Sequence, residues 1–185
     1  MIYLPQMILV AGNSRNSGKT SMACNLIRHL SENHQVVAVK FTSIRSDEAD
    51  FHGRHAEGFD EDFIVREEVN PPEGKDTNLM LKAGAVKVFY VSAHEKFLEK
   101  ALLLFLTKVI NKQLIVCESR SLRNIVEPGL FLMMMRQNDI TFAKNVDEYL
   151  SLADKICTFG HSEDEIADFV KTIEYKREKY HLRKN

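Results

Sequence analysis

Met7-Ile-Leu-Val-Ala-Gly-Asn-Ser-Arg-Asn-Ser-Gly-Lys-Thr20 is the stretch that decides the fold. Met7 to Ala11 is a short, wholly apolar run, as expected of a strand buried on both faces. From Gly18 to Leu30 the apolar residues Met22, Leu26, Ile27 and Leu30 recur at helical spacing. Between the two lies a loop of small and polar residues: Gly12, Asn13, Ser14, Asn16 and Ser17. A strand, a loop ending Gly-Lys-Thr and a helix make up the context of a phosphate-binding loop. Gly18 lets backbone approach a phosphate without a Cβ in the way, and Lys19 sets an ammonium against the β- and γ-phosphates. Thr20 offers a hydroxyl to Mg²⁺, and the first helical turn, with Ser21, supplies free N–H donors and the positive end of a helix dipole. The usual spacing has four residues between the glycines, whereas five separate Gly12 from Gly18. Asn13 stands where the first glycine belongs, and Asn, which tolerates left-handed backbone, is expected to keep the turn.

Outward from this loop, strands and helices alternate. Gln35–Phe41 and Ala85–Val91 are β-branched runs, and Leu114–Cys117, Leu130–Met134 and Lys155–Phe159 are short strands. Ser92-Ala-His-Glu95 reads as a capping box opening a helix that carries Phe97, Leu98, Ala101, Leu102, Phe105, Leu106, Val109 and Ile110. Ser162-Glu-Asp-Glu165 reads as a second box, with Ile166, Phe169, Val170 and Ile173 facing inward and a basic, frayed tail beyond. The alternation predicts a three-layer α/β domain of the P-loop type, whose mainly parallel sheet has about six strands. Met7 to Ala11 belongs in the sheet's interior, since ligands of such sheets sit beyond the carboxyl ends of central strands.

Composition bounds the rest. At 185 residues the chain is one domain, and 44% apolar with 28% charged residues excludes wholesale disorder. A formal charge of −1 gives no electrostatic footprint for nucleic acid. The longest apolar runs, Ala101 to Leu106 and Leu130 to Met135, fall far short of the roughly 20 residues of a membrane span. The N-terminus has no basic region or cleavage site for export. Cys24, Cys117 and Cys157, widely spaced, read as reduced, buried thiols of a cytoplasmic protein. One segment departs from the pattern: positions 43–76 hold eleven acidic residues against four basic ones. A stretch of that length reads as a functional or disordered insertion.

A phosphate loop needs an acidic residue at a strand end to organise Mg²⁺, and Leu114-Ile-Val-Cys-Glu118 offers Glu118. Arg120 and Arg123 follow closely enough to be weighed as phosphate contacts. His52 and His55, among several carboxylates, are weighed as ligands for a transition metal, with a solvated acidic loop as the simpler reading.

The residues Gly18-Lys-Thr20, then Val36-Val-Ala-Val-Lys40, then Gly74-Lys-Asp-Thr77 and Ala83-Gly-Ala85 form an ordered series. It resembles the GTP-binding protein B family of molybdopterin-guanine dinucleotide biosynthesis (MobB). The resemblance runs from about residue 7 to 120, and Gly74 to Val86 is similar to that family's second signature. It implies that Lys19 and Thr20 serve phosphate and Mg²⁺, that Asp76 and Glu118 are acidic residues near metal and attacking water, and that Lys40 faces the site from a strand end. It further implies GTP or ATP with Mg²⁺, slow NTPase activity, a molybdenum-cofactor enzyme or biosynthetic protein as partner, and a homodimer. Phe41-Thr42 stands where that family commonly has histidines, and no Asn-Lys-x-Asp run selects guanine. A small-molecule or nucleotide kinase and a non-catalytic metal or cofactor chaperone are the other readings of the same residues.

Overall fold

Every second residue of a strand points to the same face, and here both faces are apolar. On one side Ile8, Val10, Val36, Ala38, Val88, Leu114 and Val116 form a continuous buried surface. The residues between them, Leu9, Val37, Val39, Phe89, Ile115 and Cys117, form another. A sheet with two such faces must be covered twice, and that requirement dictates three layers.

The computed structural model describes residues 1–14, 16–44, 62–110, 112–136, 146–158 and 163–183. In chain order these form β1 (Ile2–Gly12), α1 (Lys19–Ser31), β2 (Val36–Ile44), β3 (Phe63–Glu67), α2 (Asp76–Lys82) and β4 (Lys87–His94). There follow α3 (Leu98–Leu106), β5 (Leu114–Glu118), β6 (Val126–Met134), α4 (Val146–Leu152), β7 (Lys155–Cys157), α5 (Glu163–Val170), β8 (Ile173–Lys176) and β9 (Lys179–Leu182). The seven-stranded sheet has the order β3-β4-β2-β5-β1-β6-β7. All neighbours are parallel except β3, which lies antiparallel on β4 at the edge. α1, α2 and α5 contribute to one apolar layer, and α3 and α4 to the other. This is the three-layer α/β fold with a mainly parallel sheet that the alternation predicts. Met7 to Ala11 is fully buried between β5 and β6. No helix among the described residues is long and apolar enough to cross a membrane.

Four local expectations need correction. The seventh strand, β3, comes from the acidic stretch, whose first two residues also complete β2. Ser92 is not a helix cap: pairing with Thr42 on one side and Ile64 on the other holds it extended. β4 therefore runs to His94, and a 3-10 turn, Glu95–Phe97, leads into α3, which stops before Val109 and Ile110. The apolar period through Ile173 does not continue the last helix. Ile173 is buried in β8, and the basic tail turns back as a hairpin through Arg177 and Glu178, both left-handed. Ser162 lies outside the described residues.

The hairpin covers an irregularity in β1. Leu4 pairs with Pro128 and Ile8 with Leu130, so three residues of β1 oppose Gly129 alone. That bulge accommodates Pro5, which has no N–H to give to a ladder, in a central strand. The Tyr180 hydroxyl donates to the exposed carbonyl of Gln6 at 3.0 Å. A Cβ on Gly129 would run into the Pro5 carbonyl and crowd the Tyr180 ring. Because the obstacle is backbone, Gly129→Ala should cost about 2–3 kcal/mol, a fall in Tm of roughly 5–10 °C. Thermal unfolding by circular dichroism measures it, and an unchanged Tm would mean that the bulge relaxes freely.

Candidate functional site

The phosphate-loop candidate follows the carboxyl end of β1. Gly12 is required by close approach, since a Cβ there would meet the Ser17 hydroxyl and crowd the Lys19 stem. Lys19 folds back over the loop and donates to the Ser14 carbonyl at 2.6 Å and to Ser17 Oγ at 3.2 Å. Gly18, left-handed at φ 84°, occupies the N-cap position of α1 and has no side chain to cap the helix. The donors of the first turn therefore stay available, and the turn itself contains no acidic residue. The left-handed turn is not carried by Asn13, as the spacing suggested, but by Asn16 at φ 59°. Asn13 is instead fully buried: its N–H donates to the Met134 carbonyl and its Oδ1 accepts from the Arg136 N–H at 3.2 Å. The Ser14 hydroxyl lies 3.4 Å from the same Oδ1. The extra residue thus lengthens a tether to β6 and leaves the turn to Asn16. Ser21 is exposed, and its carbonyl accepts from the Asn25 side chain.

The acidic side of the site is made by parallel register. Glu118 ends β5 directly beside Val10 of β1 and Lys40 of β2. Lys40 continues the face of Val36 and Ala38, and Glu118 that of Leu114 and Val116, so both emerge where the apolar cover of α1 ends. Asp76 arrives separately as the first residue of α2. Thr20 Oγ1 lies 2.9 Å from Glu118 Oε2 and 3.1 Å from Asp76 Oδ1, within donating distance of either carboxylate. Lys40 Nζ pairs with Asp76 Oδ2 and stands 3.6 Å from Glu118 Oε1. Side-chain exposure falls from 34% at Asp76 to 28% at Lys40 and 6% at Glu118, so the pairing carboxylate of Glu118 is nearly dry.

The two lysines respond oppositely. Burial is the strongest influence on Lys19 and, despite the pull of Glu118, holds its ammonium below the ordinary value. Burial acts on Lys40 too, but Glu118 and Asp76 together outweigh it and raise the ammonium above its usual 10.5. A raised lysine contributes its full stabilisation at every pH below that ordinary value and loses it only as pH climbs through the higher folded value. Lys40 is therefore a fixed cation under all neutral conditions.

Asn16, Ser17, Gly18, Lys19, Thr20 and Ser21, with Lys40, Asp76 and Glu118, line an open pocket of about 530 Å³. The donors converging on it are hydroxyl and carboxylate oxygens, suited to a hard cation such as Mg²⁺. Among the described residues, no group of three His, Cys, Asp or Glu side chains could hold a metal by itself. His52 and His55 lie outside the described residues. Arg123 is not a phosphate contact: it is buried, donates to the Val126 carbonyl at 3.0 Å and stacks on Phe131. Arg120 lies over the Tyr149 ring, yet near enough to depress Lys19. All three cysteines are buried, and burial pushes Cys24 up to about 11, Cys157 up to about 12 and Cys117 higher, so none is a nucleophile. For Cys24 the nearby Arg28 opposes this without prevailing.

Ile64, Arg66 and Glu68, from and just after β3, were missed by sequence reasoning; with Lys75, Thr77 and Tyr90 they line a second pocket beside Lys40 and Asp76. The alternating run Phe63-Ile-Val-Arg66 was the available signal, hidden by the acidity around it. No protein-family model matches the chain, and neither does any curated protein or solved structure.

Removing Lys40 leaves two carboxylates facing each other across Thr20. Lys40→Ala should lower stability by about 1–2 kcal/mol at pH 7.5, less than for a fully buried pair because both partners touch solvent. The loss should hold from pH 7.5 to the ordinary lysine value of 10.5 and shrink as pH climbs beyond it, where the Lys40 ammonium of the parent gives up its proton. Tm measured for parent and variant across that range tests it; a pH-independent difference would show that Lys40 acts through packing alone.

Proposed function

We propose that this chain is a Mg²⁺-dependent P-loop nucleotide-binding protein that hydrolyses GTP or ATP. The observation that carries the reading is the convergence on one hydroxyl, Thr20, of Glu118 from 98 residues away and Asp76 from 56 residues away, beside the ammonium of Lys19. An uncapped helix start, a lysine and an oxygen-lined corner in one pocket fit a polyphosphate chelating a hard cation. Thr20, with Asp76 and Glu118 directly or through water, would hold Mg²⁺, which when bound neutralises charge on the β- and γ-phosphates. Lys19 would give up its bonds to Ser14 and Ser17 for phosphate oxygens, and the anion would offset the burial that disfavours its ammonium. Asp76, the more exposed carboxylate, would orient an attacking water, while Glu118 is held between Thr20 and Lys40. The molybdenum-cofactor client, and GTP as the preferred nucleotide, rest on the resemblance of the residue series and not on the geometry.

Lys19→Ala should abolish binding of GTP and ATP by calorimetry with the fold intact; unchanged affinity would sink the phosphate-loop assignment. Glu118→Gln and Asp76→Asn should slow single-turnover hydrolysis by about 100-fold or more, with affinity changed far less, because γ-phosphate charge is neutralised mainly in the transition state. If both variants turn over at the parent rate, neither carboxylate is catalytic.

A further inference from the structure

The register row that supplies Glu118 and Lys40 does not end there. Lys40 pairs across β2 and β4 with Tyr90, and Tyr90 pairs across β4 and β3 with Arg66. Directly paired residues share a face, so Glu118, Lys40, Tyr90 and Arg66 stand side by side along one edge of the sheet. Between this row and α2 lies the second pocket, of about 420 Å³. Lys40 and Asp76 line both pockets and form the wall between them.

The second pocket has its own chemistry. Glu68 is buried and committed: Arg66 Nε donates to its Oε1 at 2.7 Å, and Thr77 Oγ1 donates to its Oε2 at 3.3 Å. Asp76 is likewise committed to Lys40 and Thr20. Three cations, Lys40, Arg66 and Lys75, thus face two engaged carboxylates, and Lys75 is exposed without a carboxylate partner among the described residues. Ile64 and the ring of Tyr90, with the Arg66 guanidinium 5.9 Å from its centroid, give apolar and planar surface. The volume is toward the small end of the range for ligand sites and adequate for a compact acid.

We propose that this second pocket binds a small hydroxy acid and presents its hydroxyl to the γ-phosphate in the first, so that the chain is a phosphotransferase toward that acid. The proposal rests on the nucleotide reading given above. The carboxylate of the acid pairs with Lys75, its carbon body lies against Ile64 and Tyr90, and its hydroxyl reaches the Lys40–Asp76 wall. The hydroxyl oxygen forms a bond to the γ-phosphorus as the bond from that phosphorus to the β–γ bridging oxygen breaks. The electron pair leaves with the nucleoside diphosphate, the hydroxyl proton passes to an oxygen of the transferred phosphoryl group, and Lys40 stays charged beside it.

The test uses the full chain with glycerate, malate and 4-hydroxybenzoate as probes. Without nucleotide, each acid is titrated by calorimetry into the parent, Lys75→Ala and Tyr90→Leu. At least one acid should bind the parent, with affinity reduced about tenfold or more in Lys75→Ala, whose exposed site leaves the fold untouched. GTP and ATP affinities, measured separately, should be the same for Lys75→Ala and the parent. With Mg²⁺ and nucleotide, phosphorus NMR should then show a phosphate ester of that acid, absent for Lys75→Ala at the same acid concentration. The proposal is overturned if no acid binds, if the binding acid is held equally well by both variants, or if diphosphate appears with inorganic phosphate and no ester. Failure of the parent to bind any nucleotide would instead remove the nucleotide reading, whatever the acids do.

Discussion

Glu118 is a carboxylate with almost no access to water at the end of a strand whose other residues are all buried. Such a group must find a cation or a hydrogen-bond donor, because an unpaired charge in that environment costs several kcal/mol. The parallel ladder brings one: the residue in register on β2 is Lys40, and a shift of one position would instead bring the apolar side chain of Val39 or Phe41 onto the other face. The pairing of β2 with β5 is thereby tied to the electrostatics of the site. Thr20 on α1 and Asp76 on α2 close the remaining valences, so two helices and two strands meet on one charged corner.

That corner sits where it does because of an ordinary alternation. Along β2, β4 and β5, residues on the α1 and α2 side are apolar up to Ala38, Val88 and Val116, and two positions later they are Lys40, Tyr90 and Glu118. The helices cover the first set and leave the second open. Nothing further is needed to make a charged edge of a buried sheet. Polar side chains one period beyond the helix cover, in register across several strands, have no choice but to face each other.

This explains which parts were legible in the sequence. Apolar strands separated by amphipathic helices announce layers, and Gly-Lys-Thr after a strand announces the loop. Thr20, Lys40, Asp76 and Glu118 could be named singly, since each ends or begins an element. The meeting of Asp76 and Glu118 at Thr20 was expected from the resemblance of the residue series. The ion pairs of Lys40 and the row from Glu118 to Arg66 were not, because strand order is absent from the chain's linear pattern. β3 was masked by the charge surrounding Phe63 to Arg66, an edge strand needing only one apolar face. The last hairpin was masked by Ile173, which fits a helical period as well as a strand. Asn13 misled for a different reason. Tolerance of left-handed backbone is a permission, and here burial against Met134 and Arg136 uses that asparagine for its amide while the more exposed Asn16 takes the turn.

Lys40 also sets a constraint on how the two pockets fill. Its ammonium neutralises the carboxylates that a divalent cation would use, so a cation such as Mg²⁺ would compete with Lys40 for Asp76 and Glu118 at distances where two positive centres repel strongly. In the nucleotide reading proposed above, a γ-phosphate would relieve that competition by offering the displaced ammonium a new anion next to the old ones. One lysine, held charged at every neutral pH by its two partners, thus ties the two pockets together at the wall they share.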